Sequence, residues 1–219
     1  MSSLSDPLGR FTARAGDYAK WRPTYPPDVV TYWCEHFGWS PGDTIVDLGS
    51  GTGIMSELLL EAGLRVLAVE PNADMRAAAE EDLTHNEGFE SIAGSAEATA
   101  LPDGCADGAI AAQAFHWFNP ETTRAELLRV LRSPAKVGIV WNVRQADTTP
   151  FLIAYEAFLH EWGTDYAAVQ ARQAHPQESL KSVCRYLAIA SATLPNEQRF
   201  GYEGLEGRLL SCSYVPKAG

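Results

Sequence analysis

Val46-Asp47-Leu48-Gly49-Ser50-Gly51-Thr52-Gly53-Ile54 carries an apolar strand into a glycine turn and out into a helix. A second apolar run, Leu64-Arg65-Val66-Leu67-Ala68-Val69, ends in the acid Glu70. A glycine-rich strand-to-helix turn followed about twenty residues later by a carboxylate is the layout of a nucleoside pocket in an α/β sheet.

The spacing narrows the ligand. A pyrophosphate turn needs G-x-G-x-x-G, its third glycine letting the helix pack close with its N-terminus on the phosphates. Here the glycines fall at 49, 51 and 53, and Ile54 stands where that third glycine belongs. The isoleucine disfavours a dinucleotide such as NAD. A compact G-x-G-x-G turn suits a phosphate-free ligand lying against bare backbone, where a Cβ would collide with it. Glu70 meets the other requirement, because one carboxylate can accept hydrogen bonds from both hydroxyls of a ribose.

On either side of this turn, helix and strand patterns alternate. Pro27-Asp28 opens a helix toward Phe37, and Thr44 to Asp47 is the first strand. Ile54 to Ala62 is a helix closed by Gly63, Leu64 to Glu70 the second strand, and Asn72 the N-cap of the next helix. Phe89 to Ala93, Gly108 to Ala112 and Lys136 to Trp141 are three further strands, with a helix over Pro120 to Leu131. This alternation predicts a three-layer Rossmann-like α/β sandwich, a mostly parallel sheet with helices on both faces. Thr193 to Phe200 is expected as a sixth strand and Glu203 to Leu210 as a helix; the nine residues beyond are too few for a complete further strand. The chain thus divides, within one domain, into a flap and helix at 1–40, a cofactor-binding core at 41–142, a helical substrate-side insertion at 143–190 and an incomplete C-terminal sheet segment at 191–219.

The composition, 219 residues and 46% apolar, fits one domain with a substantial core. No apolar run approaches a membrane span, and the first thirty residues lack a signal-peptide core. The formal charge of −11 without a lysine- or arginine-rich cluster argues against a nucleic-acid surface. Four isolated cysteines, at 34, 105, 184 and 212, read as free thiols in a reducing cytoplasm and support no metal site.

At Val46–Gly53, Val69-Glu70-Pro71-Asn72, Gly94-Ser95-Ala96-Glu97 with Leu101-Pro102, and Ala111–Phe118, the chain resembles the class I S-adenosylmethionine-dependent methyltransferases, in particular the small-molecule type 11 branch. The N-terminal Tyr18-Ala19-Lys20-Trp21-Arg22-Pro23 is similar to the leader of one subgroup. The resemblance implies S-adenosyl-L-methionine as cofactor, S-adenosyl-L-homocysteine as product and a small-molecule methyl acceptor. It implies that Asp47 lies near the methionine ammonium and that Ser95, Ala96 and Glu97 read the adenine edge. Serine at 95 stands where the family often has an acid. A Ser133-Pro134-Ala135 turn replaces the usual Pro-Gly-Gly.

The remaining expectations each have a plainer alternative. Gly49, Ser50, Gly51 and Gly53 form the cofactor turn, with Pro71, Asn72 and Met75 beside the adenine; Met75 is equally a core residue. Asp47 can instead cap the turn's own amides. Gln113, Ala114, Phe115, His116 and Trp117 face the transferred methyl, since aromatic faces attract a sulfonium. His116 is the candidate general base, or a packed wall histidine. Tyr18 and Arg22 form a flap, Arg22 pairing with the methionine carboxylate, or pack on the sheet edge. Phe151, Leu152, Tyr155, Phe158, Leu159 and Trp162 make a helical stripe, either core or cavity lining. The alternative to methyl transfer is a non-catalytic S-adenosylmethionine- or S-adenosylhomocysteine-binding protein with a degraded C-terminal half.

Overall fold

The structure is a computed structural model that describes residues 23–173, 190–212, 214 and 215. In chain order the elements are α1 (Asp28–Phe37), β1 (Thr44–Leu48), α2 (Ile54–Glu61), β2 (Arg65–Val69), α3 (Ala73–Leu83), β3 (Phe89–Ile92) and β4 (Gly108–Ala112). They continue with a 3₁₀ turn (Phe115–Trp117), α4 (Pro120–Val130), β5 (Val137–Val140), α5 (Pro150–Trp162), α6 (Tyr166–Gln173) and α7 (Tyr202–Leu210).

The five strands are parallel, in the order β3-β2-β1-β4-β5. The direction of winding reverses between β1 and β4, and in such sheets ligands sit outside the carboxyl ends at that switch point. The register brings those ends together: Leu48 pairs with Val69, Val69 with Ile92, and Asp47 with Ile110.

Both faces of the sheet are covered, so its strands read as continuous apolar runs. Alternate residues of β1 serve the two cores. Ile45 packs with Val29, Trp33, Met55, Leu59 and Val66 under α1 and α2; Val46 packs with Ala109, Leu127 and Val130 under α4. Two tryptophans lie flat on glycines of the sheet. A Cβ at Gly108 would come within 2.1 Å of the Trp39 ring, and one at Gly138 within 2.6 Å of the Trp33 ring. Both tryptophans are buried. Gly108→Ala should therefore overpack the core and lower stability by about 1–3 kcal/mol, read as a fall in melting temperature.

The expected sixth strand does not form. Residues 190–201 run without a ladder, and among the described residues β5 is paired only with β4. Pro195 has no N–H to give a ladder. Only Leu194 of this stretch packs against the core, while Asn196 is held by side-chain bonds beyond the end of β5. The helix expected over Glu203 to Leu210 is present as α7.

The aromatic stripe of α5 is mostly surface. Leu159 is its one buried residue, while Phe151, Phe158 and Trp162 are exposed. A polar cluster fixes this helix. Glu156 accepts from Arg144, from the Tyr166 hydroxyl at 2.9 Å and from Gln170 Nε2 at 2.7 Å, joining α5, α6 and the segment after β5. Among the described residues no helix is long and apolar enough to cross a membrane.

Candidate active site

The glycine turn leaves β1 pinned to its neighbour: Gly49 N–H and Ser50 N–H donate to Val69 O at 2.8 and 3.2 Å. Gly49, Gly51 and Gly53 all have positive φ, as the compact spacing predicts. The reason for two of these glycines differs from the expectation. A Cβ at Gly49 would meet Ala114 Cβ at 2.7 Å, and one at Gly53 would meet Leu83 Cδ1 at 2.6 Å. These positions are kept bare by the protein's own packing, from the exit of β4 and from α3, rather than by a ligand.

Glu70 follows β2 and is 7% exposed. Its Oε2 accepts from Gly51 N–H at 3.0 Å and its Oε1 from Asn72 N–H at 2.8 Å. Burial pushes its pKa up, while those two amides and the charge of Arg76 oppose the shift. Each oxygen still has a lone pair, so a pair of ribose hydroxyls can be accepted without breaking either bond. Asn72 caps α3 as expected, its Oδ1 accepting from Asp74 N–H at 3.0 Å and Met75 N–H at 3.1 Å. Pro71 is exposed beside it. Met75 is buried, with its sulfur 3.5 Å from where a Gly51 Cβ would stand. It is thus a core residue that underlies the turn.

Asp47, the penultimate residue of β1, is fully buried. Its Oδ2 accepts from Ser56 Oγ at 2.7 Å, and its Oδ1 has no hydrogen-bond partner among the described residues. It does not cap the turn's amides. Burial raises its pKa to about 7, with Ser56 opposing and the neighbouring Glu70 charge adding to the rise. A buried carboxylate oxygen without a partner is costly unless a cation or donor reaches it. Sequence reading missed Ser56, although a small polar residue in the first turn of the apolar helix Ile54-Met55-Ser56-Glu57-Leu58-Leu59 is a visible anomaly.

On the β3 side, residues 95–98 close a small loop through reciprocal bonds between Ser95 and Ala98, both 3.1 Å. Ala96 is buried, and Ser95 Oγ accepts from Glu97 N–H at 3.3 Å. The Glu97 carboxylate is turned to the protein: Oε1 accepts from Asn119 N–H at 2.8 Å.

On the β4 side, Gln113 has a φ of 58°, a conformation uncommon outside glycine and asparagine. Its N–H donates to Val140 O at 3.0 Å and its Nε2 to Asn142 O at 3.2 Å, so the exit of β5 sets the exit of β4. This turn aims Ala114 at Gly49 and starts the 3₁₀ turn. Phe115 enters the core, edge-on to Phe118 and Trp141, and does not line the open face. His116 and Trp117 remain partly exposed, their rings 4.8 Å apart.

Tyr18 and Arg22, the expected flap, lie outside the described residues. Where the description begins, Thr24 O accepts from Asn142 Nδ2 at 3.3 Å and Asn196 Nδ2 at 2.9 Å. The approach to α1 and the segment at 190–201 therefore meet at the carboxyl end of β5.

The arrangement gathers acceptors at the carboxyl ends of the strands: Glu70 with a lone pair to spare on each oxygen, the Asp47 Oδ1 without a partner among the described residues, and the closed loop at 95–98.

The chain is similar to known methyltransferases. A family model described as a methyltransferase domain, of the type 11 family, matches residues 46–138. An uncharacterized methyltransferase of Mycobacterium tuberculosis is 35% identical over 138 residues, which is 61% of this chain and 52% of that one. An uncharacterized methyltransferase-like protein of Schizosaccharomyces pombe is 30% identical over 159 residues, 72% of this chain and 60% of that one. The chain thus spans between half and two thirds of the length of these relatives. A solved structure assigned as a type II methyltransferase, from Anaeromyxobacter dehalogenans, superposes with a TM-score of 0.62 at 27% identity, covering 89% of this chain and 80% of that one. On these matches the chain is similar, over residues 46–138, to the type 11 methyltransferase-domain family, and its parallel sheet with the glycine turn has the Rossmann-like fold of such proteins.

Proposed function

We propose that the protein binds S-adenosyl-L-methionine across the carboxyl ends of β1, β2 and β3 and transfers its methyl group to a small-molecule acceptor, releasing S-adenosyl-L-homocysteine. The observation that carries this reading is the pair of buried carboxylates flanking one glycine turn. Glu70 is braced by two backbone amides, and Asp47 holds an oxygen with no partner among the described residues. Glu70 would hold the ribose, Asp47 the amino-acid ammonium, and the loop at Ser95–Glu97 the adenine.

The donor's sulfonium supplies an already activated methyl for in-line displacement. The protein's task is then to orient, to exclude water and, where the acceptor carries a proton, to remove it. Gln113, Ala114, His116 and Trp117 form the wall next to the donor turn. His116 is the titratable group of that wall and a candidate for the base. The small-molecule acceptor class rests on the branch that the chain resembles, and the lack of a lysine- or arginine-rich cluster in the sequence is consistent with it.

The test is transfer of a labelled methyl from S-adenosylmethionine into a pool of small metabolites, with protein and nucleic acid as parallel acceptors. Label is expected in the small-molecule fraction. Label confined to the polymers would refute the acceptor class. With an acceptor in hand, His116→Gln is expected to slow turnover about a hundredfold at unchanged donor affinity if the ring is the base.

A further inference from the structure

The loop that follows β3 is gripped at its middle and at its far end by residues of α4 and its N-cap. At its middle, Glu97 Oε1 accepts from Asn119 N–H, the N-cap residue of α4, whose own Oδ1 accepts from Glu121 and Thr122. At its far end, Thr99 is 1% exposed and gives both of its donors to one carboxylate oxygen. Thr99 N–H and Oγ1–H reach Glu126 Oε1 at 2.8 and 2.6 Å. Glu126 is in turn clamped by Arg129, whose Nε and Nη2 meet its two oxygens at 2.9 and 2.7 Å. The same guanidinium donates to Leu101 O at 2.7 Å and to Asp103 at 2.6 Å, beyond the loop. Between these anchors Ala100 is driven to a φ of 62°, which a non-glycine residue adopts only where its surroundings impose it.

From this double anchorage we infer that Glu126, held by Arg129, is a positioning residue that sets the Ser95–Ala98 loop for recognition of the donor's adenine. The inference rests on the donor reading given above. Neither side chain touches the ligand. Glu126 fixes where the loop's backbone amides and the Ser95 hydroxyl stand, and base recognition depends on that placement. A carboxylate is required because one oxygen must accept two donors from Thr99 while the pair takes a planar fork from Arg129. That engagement also holds the Glu126 pKa far down, to about 2, chiefly through Arg129, so the clamp stays charged over the working pH range.

The test is calorimetric and needs no acceptor. S-adenosylhomocysteine is compared with S-inosylhomocysteine, in which a ring carbonyl and N–H replace the adenine amine and its neighbouring acceptor nitrogen. Wild type is expected to prefer the adenine compound by about tenfold or more. Glu126→Ala should weaken S-adenosylhomocysteine about tenfold and shrink that preference to about twofold, while Glu126→Gln, whose amide oxygen can still accept from Thr99 but whose NH₂ cannot take the Arg129 fork, restores it only in part. A purely structural role would lower both affinities together and leave their ratio alone. Should Glu126→Ala fail to fold, Thr99→Val removes one of the two bonds to Glu126 and is expected to reduce the preference in part. A folded Glu126→Ala or Thr99→Val protein with the wild-type ratio would overturn the inference, as would a wild type that binds both compounds equally. In those cases the donor reading stands. A wild type that binds neither compound would overturn the donor reading itself, and this inference with it.

Discussion

Replacing Glu70 by alanine is expected to cost the protein its donor. Two ribose hydroxyls bonded to a carboxylate contribute about 1.5–3 kcal/mol each, so affinity for S-adenosylhomocysteine should fall by about a hundredfold or more. The loss has a second source, because Gly51 N–H and Asn72 N–H lose their acceptor and the turn loosens. Glu70→Gln separates the two. Its amide oxygen can keep the Asn72 bond, but its NH₂ faces the Gly51 N–H. Stability should drop modestly, by about 1 kcal/mol, with affinity down about tenfold or more. Calorimetry and a melting curve on each variant read the outcome. Unchanged affinity in Glu70→Ala would remove Glu70 from the ribose.

Asp47 carries the second large effect, and its sign differs between folding and binding. Its pKa is raised to about 7 in the folded protein, against the ordinary carboxylate value of about 4 in the unfolded chain. Between those values the folded state holds a proton that the unfolded state has released. Stability therefore falls as pH rises from about 4 to about 7, by an amount on the order of a few kcal/mol. Donor binding should run the other way, because an ammonium is attracted to the ionised carboxylate and favours release of that proton. Wild type is thus expected to melt lower at pH 8 than at pH 5.5, yet to bind S-adenosylhomocysteine more tightly. Asp47→Asn keeps an oxygen for Ser56 Oγ and removes the buried charge. It should flatten this part of the stability profile, melt higher than wild type at pH 8, and bind the donor about tenfold or more less tightly there. A variant that binds as well as wild type at pH 8 would detach Asp47 from the ammonium.

Where the sequence was readable, the determinants are local. The spacing of Gly49, Gly51 and Gly53, the acid after β2 and the capping residue Asn72 each act within a few residues of the structure they specify. Their placement in the fold matches the expectation. The sixth strand expected over Thr193–Phe200 depends instead on whether a distant edge accepts it, and Pro195 already weakens that pairing. Phe115 was expected to face the methyl, but its run, Ala114-Phe115-His116-Trp117, is a 3₁₀ turn in which successive side chains leave in different directions. Phe115 goes to the core and His116 stays partly exposed.

Glu97 shows a different limit. Its position in the loop is as expected, yet its carboxylate serves Asn119 rather than facing outward. Sequence order cannot tell a loop's outward face from its inward one. Thr99 and Glu126 are 27 residues apart and meet only because α4 packs back across the sheet. The hint available in advance was the Glu126–Arg129 pair at helical i,i+3 spacing, which ordinarily signals no more than a solvated ion pair.

A glycine turn that serves a phosphate-free sulfonium nucleoside should admit S-adenosylhomocysteine and reject a dinucleotide. Titration of the wild-type protein with S-adenosylhomocysteine, beside an identical titration with NADH, tests this most directly. Saturable one-to-one binding of S-adenosylhomocysteine and no binding of NADH are expected. Binding of NADH with none of S-adenosylhomocysteine would contradict it.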